Sequence, residues 1–161
     1  MWLHLYKYRL YLHTVISKAV AKCLGLGLPP AATVCGILER DGKILVLKHN
    51  YINGYGLPGG RLENNDTIEE TLLKEFQEET SLTVTKFDWL FSTVGYQYQV
   101  CSVQIVFKVE CEGELNDSEE GTLHWMTPEE LVDKMAYINA NKAVKKYCEY
   151  RKQNVNLISS I

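Results

Sequence analysis

The stretch Gly60-Arg61-Leu62-Glu63-Asn64-Asn65-Asp66-Thr67-Ile68-Glu69-Glu70-Thr71-Leu72-Leu73-Lys74-Glu75-Phe76-Gln77-Glu78-Glu79-Thr80-Ser81-Leu82 is the most informative in the chain. Residues Thr67 to Thr80 are strong helix formers, with Leu72, Leu73 and Phe76 on an apolar face. The preceding Gly56-Leu57-Pro58-Gly59-Gly60 is too rich in Gly and Pro for regular structure and reads as a loop. Between positions 66 and 82 six carboxylates face only Lys74, a net −5 over seventeen residues. A solvated acidic helix is the plain reading of such a run. The spacing argues otherwise: Glu75 and Glu79 are one turn apart and Glu78 is three residues from Glu75, so their carboxylates share one sector of the helix surface. Such crowding is unfavourable unless a cation sits there, and oxygen-only ligands suit a hard ion, Mg²⁺ or Mn²⁺. A diphosphate is the natural partner of that metal, and metal-assisted hydrolysis of a phosphoanhydride is the chemistry it supports. Gly59 and Gly60 allow close backbone approach, so a carbonyl is available to complete the shell.

On either side of this stretch the pattern is that of short strands. Thr33 to Glu39 and Lys43 to Lys48 flank Arg40-Asp41-Gly42, a hairpin signal. Runs at Thr83 to Val94, Val100 to Glu110 and Leu123 to Met126 predict further strands. Thr127-Pro128-Glu129-Glu130 reads as a helix start with a capping box, and a C-terminal helix is expected through much of Lys142 to Lys152. The order is mixed, without βαβα alternation or repeats, which predicts an α+β domain whose sheet is mostly non-parallel.

Gly60 to Leu82 resembles the signature of the Nudix hydrolase family, G-x5-E-x7-R-E-U-x-E-E-x-G-U with U a bulky aliphatic residue. Gly60, Glu75, Glu78, Glu79 and Leu82 match outright and Phe76 is a relaxed match. Tyr55-Gly56-Leu57-Pro58-Gly59-Gly60-Arg61-Leu62-Glu63 is similar to the family's lead-in, and His124 to Leu131 to its Trp-containing close. Three positions depart: Asp66 for Glu, Lys74 for the Arg that orients the glutamates, and Ser81 for Gly at the left-handed helix end. Lys74 lacks the planar fork of an arginine, and Ser81 costs about 1 kcal/mol there. The resemblance covers Ala31 to Leu131 and implies an α/β/α sandwich with a mixed sheet, to which an N-terminal amphipathic helix is added. It also implies Mg²⁺ (or Mn²⁺) held by Glu75, Glu78, Glu79 and the carbonyl of Gly59 or Gly60, with Lys74 in the orienting place. The base is Glu78 or a later acid, of which Glu120 is preferred to Glu119. The implied reaction is hydrolysis of a nucleoside diphosphate linked to another group, or of a non-standard nucleoside triphosphate. Tyr55 and Tyr98 are candidates to contact that substrate, with Tyr51 and Tyr96 as further stacking candidates. The alternative is a nucleotide-binding or regulatory module that does not turn its ligand over.

Composition sets the outer limits. The chain has 161 residues, 46% of them hydrophobic and 23% charged, which fits one globular domain and excludes a disordered chain or a fibre. A net charge of −3 offers no field for duplex nucleic acid. Five cysteines without a Cys-x-x-Cys pair, and no signal peptide, point to reduced thiols in the cytoplasm. Residues 1–30 hold +4 with no acid, leaving −7 on the rest. Leu5, Tyr8, Leu12, Ile16, Ala19 and Cys23 recur at helical spacing, which predicts a basic amphipathic helix ended by Gly25, Gly27 and Pro29-Pro30. Its apolar runs are too short to span a bilayer. Packing on the domain or on a second subunit is the favoured role, which leaves a homodimer open. Peripheral membrane contact is less favoured, and an organellar targeting peptide least. The domains are therefore 1–30 for this helix and linker, and 31–155 for the hydrolase-like unit.

Overall fold

The computed structural model describes residues 16, 30–50, 52–63, 65–97 and 100–158. The expected N-terminal helix, Tyr51 and Tyr98 lie outside them. The described residues from Ala31 onward form eight strands and three helices: β1 (Ala31–Ile37), β2 (Glu39–Arg40), β3 (Lys43–His49), β4 (Tyr55–Gly56), β5 (Gly59–Arg61), α1 (Ile68–Thr80), β6 (Thr83–Gln97), β7 (Val100–Glu112), β8 (Gly121–Met126), α2 (Pro128–Leu131) and α3 (Ile138–Ile158).

The fold is α+β and its main sheet is mixed. β5, β1, β7 and β6 lie side by side in that order; β1 runs parallel to β7, and the other two pairings are antiparallel. In the second sheet β3 is flanked by β8 and by the short β2 and β4. The predicted hairpin forms through Asp41 (φ 50) and Gly42 (φ 75), two left-handed residues that follow the twist of the strands. Register shifts between Val84 and Lys86, and between Trp89 and Phe91, mark irregularities along the β6–β7 ladder. β6 is an edge strand, and two lysines of α3 take free carbonyls along it: Lys142 Nζ donates to Val94 O at 2.7 Å and Lys146 Nζ to Ser92 O at 3.5 Å.

Strand alternation divides the interior into two cores. Cys35 and Ile37 of β1, Ile44 and Val46 of β3, Val106 of β7 and Phe91 of β6 pack with Ala143, Val144 and Tyr147 of α3. Val34, Leu45 and Phe107, their neighbours along the same strands, pack with Leu72 and Phe76 of α1. Helices therefore cover both sides, as an α/β/α sandwich requires. Gly36 lets α1 approach closely, since a Cβ there would meet the Phe76 ring at 2.6 Å. One expectation is corrected. The Gly-rich lead-in is not wholly loop, because Tyr55–Gly56 pairs with β3 and Gly59–Arg61 with β1. Pairing with neighbours far along the chain supplies what local composition does not reveal, and Gly36 N–H also donates to Pro58 O at 2.9 Å.

Candidate active site

The rotation of α1 about its axis is set at its start and along its buried side. Thr67 caps the helix: its Oγ1 accepts from Glu70 N at 3.1 Å, while Thr67 N donates to Glu70 Oε2 at 2.8 Å. Leu72 and Phe76 are fully buried, so the flank beside them grades from core to solvent. Glu79 is 6% exposed, Glu75 is half-buried and Glu78 is exposed. The helix ends at Ser81, whose φ of 62 is left-handed and whose N–H donates to Gln77 O at 3.0 Å.

β5 brings backbone against those carboxylates. Gly59 N–H donates to Glu79 Oε2 at 2.8 Å. The Glu75 carboxylate lies on Gly60, where a Cβ would stand 2.1 Å from its Cδ and 2.3 and 2.4 Å from its oxygens. Only glycine admits that approach. Gly59 itself has φ +144 and packs on Val34 and Cys35 of β1, leaving no room for a side chain.

The carboxylates raise one another's proton affinity. Burial pushes Glu79 up from 4.5 to about 8; the Gly59 N–H opposes this, and the charges of Glu120, Glu75 and Glu78 reinforce it. Glu75 is raised first by burial and then by Glu78, with Lys74 pulling it down and Glu120 and Glu63 pushing it up. A buried carboxyl that accepts a single N–H and faces three further acids is a poor arrangement for an empty protein and a suitable one for a divalent cation. Among the described residues no three acidic, histidine or cysteine side chains already converge in a metal-holding arrangement. The donor set nevertheless fits a hard ion: carboxylate oxygens of graded burial beside backbone that carries no side chain.

Of the residues singled out in the sequence, Glu75 lies against Gly60, Glu79 accepts from Gly59 N–H, and Glu78 acts on both glutamates through its charge. Glu120 joins them electrostatically from the start of β8, where its backbone carbonyl accepts from Asn50 N at 2.9 Å. Its neighbour Glu119 is exposed and gives its carbonyl to Asn50 Nδ2 at 3.2 Å. Lys74 is exposed and acts on Glu75 by charge. Tyr55 packs on the α3 side of the second sheet, under Lys48 Nζ at 4.9 Å and edge-on to His124 at 5.9 Å. There it lines a cavity of about 380 Å³ with Lys48, Asn53 and Lys134. One contributor, Glu63, which raises Glu75 by its charge, escaped the sequence reading of the site. Glu63 was visible only as part of the lead-in. The His49 ring lies over Gly56, where a Cβ would meet Nε2 at 2.5 Å, and stands edge-on to Tyr137 at 6.0 Å.

Comparison with known proteins finds relatives in sequence and in fold. The family model described as NUDIX domain matches residues 27–147. An ADP-ribose pyrophosphatase of Methanocaldococcus jannaschii is 43% identical over 75 residues, covering 45% of this chain and 44% of that protein. The chain therefore spans less than half the length of that relative. A MutT-like protein of Streptomyces ambofaciens is 33% identical over 118 residues, 70% of this chain and 75% of that one. The solution structure of the E. coli ORF135 protein superposes with a TM-score of 0.67 at 22% identity, over 77% of this chain and 92% of that chain, and shows a shared fold.

Proposed function

The chain belongs to the Nudix hydrolase family, and from that premise we propose that it is a Mg²⁺-dependent pyrophosphohydrolase acting on a nucleoside diphosphate linked to another group, or on a non-standard nucleoside triphosphate. The observation that carries the reading is Glu79: buried, tied to Gly59 N–H at 2.8 Å, and pressed by the charges of Glu75, Glu78 and Glu120. Glu75, Glu78 and Glu79, with the Gly60 carbonyl, would hold the ion. When bound, Mg²⁺ supplies charge neutralisation on the phosphoanhydride oxygens and acidifies a water. Gly59 keeps the Glu79 carboxylate aimed at the site. Glu78 and Glu120 are the two candidates to take the proton of the attacking water, Glu78 from the exposed flank of α1 and Glu120 from the start of β8. Lys74 moderates the negative charge at Glu75. The catalytic unit in this reading is residues 31–155, with 1–30 an appended basic segment.

The test is Mg²⁺-dependent product release from ADP-ribose, sugar nucleotides, dinucleoside polyphosphates and oxidised nucleoside triphosphates, with Glu79→Gln as control. ADP-ribose is included because of the name of the Methanocaldococcus relative. Turnover by the wild type that falls by about a hundredfold or more in the variant supports the reading. Folded protein that binds one of these compounds and releases no product with Mg²⁺ or Mn²⁺ favours a binding module instead. The lysine at position 74 and the serine at 81 are the features that would account for that outcome.

A further inference from the structure

The cavity of about 380 Å³ that Tyr55 lines lies on the α3 side of the second sheet, apart from the glutamates of α1. Its walls are fixed by backbone. The connection from α2 to α3 runs beside β4 as a further short strand: Tyr55 N–H donates to Lys134 O at 3.1 Å, Ala136 N–H donates to Tyr55 O at 2.8 Å, and Met135 pairs with Tyr55 in parallel. Gly54 has φ +126, and a Cβ there would meet Ala136 N at 2.6 Å, so only glycine lets the two segments close. Asp133 enters the connection in the left-handed region, at φ 64. Asn141 holds it there, accepting from its N–H at 2.8 Å and donating Nδ2 to its Oδ1 at 2.8 Å. A cavity walled in this way is formed before any ligand arrives, which lowers the cost of binding one.

The charges around it favour an anion. Lys145 Nζ donates to Asp133 Oδ1 at 2.9 Å and, with Asn141, holds that carboxyl below its usual range, so the acid at the cavity is already neutralised. Lys48 Nζ stands 4.9 Å from the centre of the Tyr55 ring and 3.5 Å from Asn53 Oδ1, a ring face and a neutral amide. Among the described residues neither Lys48 nor Lys134 forms an ion pair, and Lys134 acts on Glu130 by charge from farther away. Two ammonium groups and an amide, with no arginine among the described residues that line the cavity, suit a tetrahedral phosphate better than a planar carboxylate, which the arginine fork matches. The Tyr55 ring and Met135 add an apolar wall on which the organic part of such a ligand can lie.

We propose that this cavity binds a phosphate monoester at a site separate from the carboxylates of α1 and independent of metal, with Lys48 and Lys134 as its cationic groups and Tyr55 against the organic part. Inorganic phosphate and phosphorylated small molecules share the anion, and the Tyr55 wall favours the second. β4 leads through Leu57 and Pro58 into Gly59, whose N–H holds Glu79. A ligand bridging Lys48 of β3 and Lys134 of the connection therefore braces the segment that shapes the glutamate cluster.

The experiment titrates the full chain with inorganic phosphate and with phenyl phosphate by calorimetry, in chelator, with phenol as the neutral control. Without a cation the carboxylates of α1 repel anions, so they contribute no binding. The expected result is a single site that takes phenyl phosphate more tightly than inorganic phosphate and ignores phenol. Lys48→Gln and Lys134→Gln should each weaken it by roughly tenfold or more, in protein shown to be folded by circular dichroism. Lys152→Gln, at an exposed lysine outside the cavity, should leave it unchanged. Equal affinity for the two phosphates, lost in both cavity variants, supports the site and assigns it to the free anion. No binding of either phosphate to the wild type overturns the proposal, as does binding that survives both cavity variants. Neither metal nor turnover enters the measurement, so the hydrolase reading stands or falls separately.

Discussion

Replacing Glu79 by glutamine should stabilise the metal-free protein by an amount that grows with pH. Glu79 is held at about 8 in the folded state against an ordinary value of 4.5. Because the folded form keeps a proton that the unfolded form releases, stability is complete below the unfolded value and is lost as pH rises toward about 8. By linkage the loss between about pH 5 and about pH 8 is about 3 kcal/mol. Glutamine carries no charge to desolvate and its oxygen still accepts from Gly59 N–H, so the variant escapes that loss. Any cost of its buried NH₂ is independent of pH and drops out of the slope. Urea unfolding of both proteins in chelator, at intervals across this range, gives the difference directly. A difference that stays flat within about 0.5 kcal/mol would refute the account of Glu79 as a buried acid strained by its neighbours. Added Mg²⁺ should reverse the order, since an ion that binds only the folded wild type stabilises it by mass action.

Other substitutions probe separate parts of the argument. Gly60→Ala places a Cβ 2.1 Å from the Glu75 carboxylate carbon; kcat should fall at least tenfold while the urea midpoint moves little, as single-turnover assays and unfolding curves would show. Gly36→Ala presses on the Phe76 ring at 2.6 Å and should cost about 1–3 kcal/mol in urea unfolding, with no selective effect on KM. Ser81→Gly relieves a left-handed serine of φ 62 and should gain about 1 kcal/mol. Glu120→Gln removes a charge that raises both Glu75 and Glu79; the acidic limb of the pH–rate profile should move to lower pH, and a profile that keeps its position would count against Glu120 as a member of the site.

The candidate site residues were legible because their pattern is local. Glu75, Glu78 and Glu79 share a helix face whatever the helix packs on, Thr67 and Thr127 cap by reaching three residues along the chain, and Asp41-Gly42 turns by its own backbone preference. Ser81 likewise announced a strained helix end. The pairing of β5 with β1, which turns a Gly-Pro segment into strand and delivers the Gly59 N–H to Glu79, was not legible. Nor was the parallel partnership of β1 with β7, residues about seventy positions apart. Hydrogen bonds between distant strands depend on the whole arrangement, and no periodicity in either strand records them. The grading of three equivalent-looking glutamates into buried, half-buried and exposed has the same origin, since Phe76 against Gly36 sets how far α1 sinks. The chain by itself determined which acids would gather; only the packing of distant strands decided how much water each keeps, and with it how strongly each holds a proton.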